Sequence, residues 1–559
     1  MLKAKLLSSL DKVFIDDKIN NFAEFSHVCA FRGGRVSLQI ALCEDDPTFP
    51  YRRWINVRVL GDGIPDDAFS MRMVDHVVNY QPVFTNRYDS GYARTTPGLY
   101  PDMLSPLQMG GAIPCPVGHL RTAWVDVELP ADPSLDGEHH IVFELLDGEK
   151  VLPLSLDLTV IPAKLPADDF KVTQWFHCDC LANFYNAEVF SERHWEIVEN
   201  FVRTAVKNGI NTLLTPVFTP PLDTHVGGER RTAQLVGVTL DSDGKYTFDF
   251  SLVGRWIDMC DRCGIKYLEI SHLFTQWGAA HAPKIMAQTP DGYRRIFGWD
   301  TDATGNEYPP FLRQFLTEFL AYMKARGDDK RCIFHVSDEP NGEQLEQYLR
   351  SKAVVADLLE GYTMIDALSN VDFYHSGAIT TPVPSTDHIV PFLEAYDKEG
   401  KTGLWTYYCC GQNIGTSNRY LAMTGARTRF IGVQFYKYRI GGFLQWGYNF
   451  YNNQGSYDPI NPLTDVSGNY FFPAGDGFSV YPSLDGTALE SMRIIQFKEA
   501  LDDMRAMRFC ESLIGREKTL SAVEAIAGSV VFDSCVNDTA TMLKIRETVD
   551  RLILEALKR

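Results

Sequence analysis

The segment Ser337-Asp338-Glu339-Pro340 follows the apolar run Arg331-Cys332-Ile333-Phe334-His335-Val336 and places two adjacent carboxylates where a buried strand would open into a loop. Burying an unpaired carboxylate is costly, so two acids at such a position imply a use. Like charges held close together raise one pKa, which keeps a proton available near neutrality. A pair in that state suits general acid–base work, one group moving a proton while its neighbour stabilises positive charge. Pro340 biases Glu339 toward an extended backbone, from which both headgroups could reach one pocket at different depths.

The surrounding pattern predicts what must hold the pair. Residues 1–165 read as an antiparallel β-sandwich. The runs Arg35–Leu42, Trp54–Val59, Ala123–Leu129 and Leu154–Val160 alternate apolar with polar side chains and are separated by Gly, Pro and Asp. Ile161-Pro162-Ala163-Lys164-Leu165-Pro166 reads as a linker. From there the rhythm becomes strand, helix, strand. Strands are expected at 172–176, 211–215, 265–270, 331–336, 364–368, 371–374, 403–408 and 442–446. Helices carry the stripes Trp195/Val198/Phe201/Ala205 and Phe311/Phe315/Phe319/Met323, with Gly209, Gly264 and Gly327 as C-terminal caps. The fold class is α/β. A (β/α)₈ barrel over 166–510 follows, with long loops and a helix through Met492, Ile495, Phe497 and Leu501 closing the ring. A helical extension occupies 511–559. Barrel active sites lie at the C-terminal ends of the strands, where strand four delivers Asp338 and Glu339.

Composition narrows the class. With 53 basic and 72 acidic residues the net charge is −19, which argues against nucleic acid or an anionic membrane as the partner. The first twelve residues lack a sustained apolar stretch and a small-residue cleavage site, and no run of 18 apolar residues occurs, so a cytoplasmic protein with no membrane span is expected. The twelve cysteines are then expected to be free thiols, including Cys260 and Cys263 in a helix and the neighbours Cys409 and Cys410 in an apolar strand of the core. His177, Cys178 and Cys180 have metal-binding side chains but no remote ligand pair, so no metal is expected, and nothing requires a cofactor.

Two carboxylates of a glycosidase ordinarily come from different strands and stand ~5–5.5 Å apart for retention or ~6.5–9.5 Å apart for inversion. Adjacent carboxylates suit a third scheme, in which the sugar's own 2-acetamido oxygen attacks the anomeric carbon. Phe334-His335-Val336-Ser337-Asp338-Glu339-Pro340 resembles the catalytic signature of glycoside hydrolase family 123. Leu404-Trp405-Thr406-Tyr407-Tyr408-Cys409, Gly441–Gly447 and Gly475-Asp476-Gly477-Phe478-Ser479-Val480-Tyr481-Pro482 match its later motifs. The likeness covers most of residues 120–510, including the sandwich-to-barrel join. It implies a retaining β-N-acetylgalactosaminidase with substrate assistance, Asp338 orienting the acetamido group and Glu339 serving as general acid/base. The substrate would be an oligosaccharide or glycoconjugate.

Other residues have two readings each. Trp405, Tyr407, Trp446 and Tyr448, near the ends of strands seven and eight, could stack on a pyranose or fill the barrel core. His177 and Asp179 after strand one and His272 after strand three could bind hydroxyls or serve local hydrogen bonding. Asp476, between Gly475 and Gly477, could project over the pocket or be a turn residue. Asp476, Asp300, Asp366 and Asp372 compete as a remote second carboxylate for a conventional mechanism on a neutral sugar. A sugar-binding barrel without catalysis is the remaining alternative.

Overall fold

The computed structural model describes residues 2–46, 48, 53–85 and 87–558. The N-terminal region forms two five-stranded sheets. One has the order Leu2–Ser8, Arg35–Glu44, Arg121–Glu128, Phe69–Asn79, Gly98–Pro106 and is antiparallel throughout. The other has the order His27–Phe31, Lys150–Ile161, Gly137–Asp147, Arg53–Gly61, Ile113–Cys115, with one parallel pairing. Inward-facing Leu38, Ile40 and Val125 of the first sheet share one apolar core with Ile141, Phe143, Leu156 and Leu158 of the second. The facing sides of the two sheets meet in this core, while Arg35–Glu44 and Arg121–Glu128 are buried on both sides along most of their length.

The barrel strands are β1 (Lys171–Gln174), β2 (Thr212–Thr215), β3 (Tyr267–Ile270), β4 (Cys332–Phe334), β5 (Thr363–Ala367), β6 (Thr381–Val383), β7 (Trp405–Tyr407) and β8 (Gly442–Gln445). All neighbouring pairs are parallel, and β1 closes on β8. Between β6 and β7 the ring is completed by a parallel bridge of Ser385 to Tyr407, where Tyr407 N–H donates to Pro384 O at 3.1 Å. Each strand is followed by at least one helix. Inside the ring, Leu214, Ile333, Ile365, Val383, Trp405 and Leu444 form a small apolar core, while the striped faces of the outer helices pack on the ring's outside. The loops after β2 and β3 carry an extra four-stranded sheet, which accounts for the length of this region.

Two expectations are corrected. Residues 371–374 are not strand six: Asp372–His375 is a short helix whose start is held by Asn370 Oδ1 accepting from Asp372 N–H at 2.9 Å. The apolar pair Phe373 and Tyr374 packs against Tyr348 and Tyr396, which a short apolar run alone does not distinguish from strand packing. Strand four is also shorter than expected and stops at Phe334, leaving the acidic pair in the loop beyond it. The helix Met492–Ile514 runs past residue 510 and is followed by Arg516–Ala527 and Thr539–Leu557. It crosses Gly425–Lys437 so closely that a Cβ on Gly432 would lie 2.0 Å from Ala500 O, which requires glycine there. Among the described residues no helix is long and apolar enough to cross a membrane.

Sandwich and barrel are joined by buried charge. Arg493 donates to Asp102 at 2.9 Å through Nε and Nη2, with both side chains fully buried, and its Nη1 donates to Gly475 O (2.6 Å) and Phe478 O (2.9 Å). Tyr481 Oη also donates to Asp102, at 2.6 Å. Breaking such a pair on one side costs ~3–5 kcal/mol, because the surviving charge has no partner. Arg493→Met is therefore expected to lower stability by about that amount, read as a fall in denaturant midpoint. Adding Asp102→Asn should recover part of the loss, and a single variant as stable as the parent would refute this role.

Candidate active site

At the C-terminal end of the barrel, Asp338 and Glu339 line one cavity. Their backbone is clamped from both sides: Trp277 N–H donates to Asp338 O (2.8 Å), and Glu339 N–H donates to Ala367 O (2.9 Å) at the end of β5. Glu339 is not extended as expected but left-handed, with φ 43°. The two backbone bonds impose this conformation despite its cost. Asp223 (φ 42°) and Trp277 (φ 61°), from the loops after β2 and β3, line the same cavity in the same rare conformation. Each such residue costs on the order of 1–3 kcal/mol, and strain of this kind clusters at sites of function.

The two carboxylates have different surroundings. Asp338 is 9% exposed, and among the described residues its headgroup has no hydrogen-bond partner. Burial first, and then the neighbouring charge of Glu339, push its pKa well above the usual carboxylate range. Glu339 is exposed at the cavity mouth and accepts a 2.6 Å hydrogen bond from the buried hydroxyl of Tyr407, at the end of β7. Proton sharing between unlike neighbours is the expected state of such a pair.

Beneath Asp338 lies a buried charge cluster. His335 Nε2 donates to Glu269 Oε1 at 2.6 Å, and its Nδ1 lies 3.4 Å from Asp366 Oδ1, in ion-pair contact. Burial alone would lower the pKa of this imidazole, but its two carboxylate partners outweigh burial and hold it up to about 9. Trp175 Nε1 donates to Glu269 at 2.7 Å, Thr173 also bonds Glu269, and Tyr348 bonds Asp366. Asp366 further accepts from the N–H groups of Val336 (3.1 Å) and Ser337 (3.2 Å). The imidazolium therefore ties β3, β4 and β5 together directly below the acidic pair.

Of the other candidates, Tyr407, Trp446 and His177 line the cavity. His177 is neutral, its pKa pushed down to about 3 chiefly by burial, and is fixed by Nε2–H to Trp446 O (3.0 Å) and by Arg230 on Nδ1 (3.1 Å). Arg230 also binds Asp179 through two hydrogen bonds of 2.9 and 2.6 Å, so Asp179 is a buried anchor away from the cavity. Four expectations are corrected, because these side chains lie outside the cavity wall. Trp405 belongs to the apolar core inside the ring. Tyr448 is fully buried with its hydroxyl on Phe201 O (2.9 Å). His272 is stacked on His335, ring centroids 4.2 Å apart. Asp476 is fully buried behind Trp446, accepting its Nε1–H at 2.9 Å, and so positions that indole. Asp300 pairs with Arg295 on the surface, and Asp372 starts a helix.

The sequence reading missed Trp175, Asp223, Gln276, Trp277, Phe471, Phe472 and the exposed side of Cys409 and Cys410, all on the cavity wall. Trp175 directly follows β1, a position that barrel logic flags. The others come from long loops with no local signal. Among the described residues Asp223 Oδ2 accepts only Gly455 N–H, at 3.3 Å, and burial raises its pKa to about 6. It is a third acid facing the cavity.

A parallel barrel with paired acids at its C-terminal mouth, walled by aromatic rings, is the architecture of a glycoside hydrolase. The glycoside hydrolase 123 catalytic domain matches residues 175–510, more than half of the chain. The chain belongs to glycoside hydrolase family 123. Its fold is similar to that of a family 123 glycoside hydrolase from Clostridium perfringens, solved in work on glycolipid glycan hydrolysis. That likeness has a TM-score of 0.74 and 15% identity, and covers 100% of this chain and 98% of that one. An endo-β-1,4-mannanase from Thermotoga petrophila is more distant, with a TM-score of 0.34 and 11% identity over 61% of this chain and 78% of that one. No curated protein matches the chain by sequence.

The His335 cluster makes stability depend on pH. A folded-state pKa of about 9 against an unfolded value of ~6.5 contributes roughly 3 kcal/mol that is fully present below pH ~6.5 and gone above about pH 9. Denaturant titrations across that window should show the decline, and an imidazole NMR signal should titrate near pH 9. Every histidine titrating at or below 6.5 would contradict the cluster.

Proposed function

We propose that this enzyme is an exo-acting, retaining β-N-acetylgalactosaminidase working by substrate assistance. The supporting observation is the unequal pair: buried Asp338 with an unpartnered headgroup beside exposed Glu339, both facing one cavity. In the empty cavity the shared proton resides on Asp338. An acetamido N–H donating to Asp338 favours its ionised form. The displaced proton then moves to Glu339. Glu339 protonates the glycosidic oxygen as the acetamido oxygen closes on the anomeric carbon, and Asp338 stabilises the resulting oxazolinium cation. Glu339, now a carboxylate, removes a proton from water as that water opens the ring, so configuration is retained. Trp175, Trp446 and Phe472 offer faces for the pyranose, and Trp277 and Phe471 extend this lining to the rim, where an aglycone would lie. The glycolipid glycans linked with the Clostridium perfringens protein are a natural substrate class to test.

Asp223 favours a second reading, in which Glu339 works with this third acid on a neutral sugar. A panel of nitrophenyl glycosides separates the two. Substrate assistance requires cleavage of 2-acetamido sugars and inhibition by a thiazoline mimic of the oxazoline. Comparable turnover of the plain galactoside would reject it. Glu339→Gln is expected to lose ~10²–10⁴-fold on poor leaving groups and much less on activated aryl ones. Asp338→Asn should impair both classes, and full activity in that variant would exclude its assigned role. Under the second reading Asp223→Asn, rather than Asp338→Asn, abolishes turnover.

A further inference from the structure

Among the twelve cysteines, Cys409 and Cys410 are adjacent, and both line the catalytic cavity. The sequence reading placed them in the core. The structure instead leaves both partly exposed, because β7 ends at Tyr407. Along a regular strand neighbouring side chains point to opposite faces, whereas past the strand end the backbone turns and brings both thiols to one wall. Both thiols belong to the wall of the same cavity. The turn is held open side inward: Cys409 N–H donates to Gln412 Oε1 (2.7 Å), and Cys409 O accepts from Asn418 (2.9 Å) and Tyr420 (2.7 Å). The other closely spaced pairs, Cys178 with Cys180 and Cys260 with Cys263, are buried.

We infer that Cys409 and Cys410 form a dithiol site in the cavity wall that captures trivalent arsenicals through both sulfurs. Direct oxidation to a disulfide is the poorer fit. Consecutive Cα atoms are ~3.8 Å apart, below the ~4.4–6.8 Å that ordinary disulfides span. A trivalent arsenic inserted between the sulfurs relaxes that closure, and soft thiolate sulfur is its preferred donor. The step is a condensation. Both S–H bonds break, two As–S bonds form, and the arsenic oxygen leaves with the two protons as one water. No electrons change hands, and arsenic stays trivalent. The site does not depend on which sugar the cavity accepts.

The native full-length protein, treated with phenylarsine oxide and measured by intact mass, should gain one phenylarsine per chain, the mass of the reagent less one water. Peptide mapping should place it on residues 409–410. Glutathione should leave it in place and ethanedithiol should remove it. Cys409→Ser and Cys410→Ser should each abolish the adduct, since chelation needs both sulfurs. No adduct on the native parent protein, an adduct mapped to another peptide, or one that survives either substitution would overturn the assignment. The mapping on the parent protein decides the matter even if a variant fails to fold.

Discussion

His335 is a buried cation held between Glu269 and Asp366, and the geometry above it depends on that arrangement. An imidazolium inside a protein costs several kcal/mol in lost hydration unless opposite charge surrounds it. Here two carboxylates do so, from the strands on either side. Because Asp366 also accepts from the N–H groups of Val336 and Ser337, the charge cluster shapes the backbone that leads to Asp338. The same cation pulls the pKa of Asp338 down while burial and Glu339 push it up, and burial prevails. The proton on the acidic pair is therefore set mainly by burial and by Glu339, with His335 beneath the cavity opposing both.

A second layer of support lies outside the barrel. Asp102 on the sandwich and Arg493 on the barrel's closing helix are both fully buried, and Arg493 reaches the carbonyls of Gly475 and Phe478 on either side of Asp476. Asp476 in turn holds the Trp446 indole at the cavity wall. A chain of hydrogen bonds thus runs from the N-terminal sheets to an aromatic face of the site. The sandwich contributes to the site by holding the loop that holds the tryptophan, with no wall residue of its own among the described residues.

Much of the architecture was legible because it follows from period. Alternation over Arg35–Leu42 or Leu154–Val160 and the stripe Phe311/Phe315/Phe319/Met323 each admit one regular element; the burial of Leu154, Leu156 and Leu158 and of the stripe agrees with it, whereas Val36–Glu44 is buried on both faces. Residues 371–374 failed because four residues span barely one helical turn, too short for period to separate strand from helix. Glu339 failed for another reason. The proline after it disfavours the helical region and says little about the left-handed one, which backbone bonds to the end of β5 and to the loop after β3 select.

The local signal led to Asp338, Glu339, Tyr407 and Trp446 as residues of one cavity wall, since each lies past or at a strand end and the strand ends define the mouth. Trp405 and Tyr448 share that neighbourhood, but side-chain direction sends them into packed interior, and direction at a strand end is fixed by register with neighbouring strands. His272, Asp366 and Asp476 have the right chemistry at the wrong depth, and depth is a property of the whole barrel. Sequence alone determined the β-rich layers ahead of an alternating α/β region and marked the acids to consider, because these depend on periodicity and residue type. Only the tertiary structure decided which side chains meet in one cavity and which carry charge there. Burial, partner distance and loop geometry set those, and each joins residues far apart in the chain.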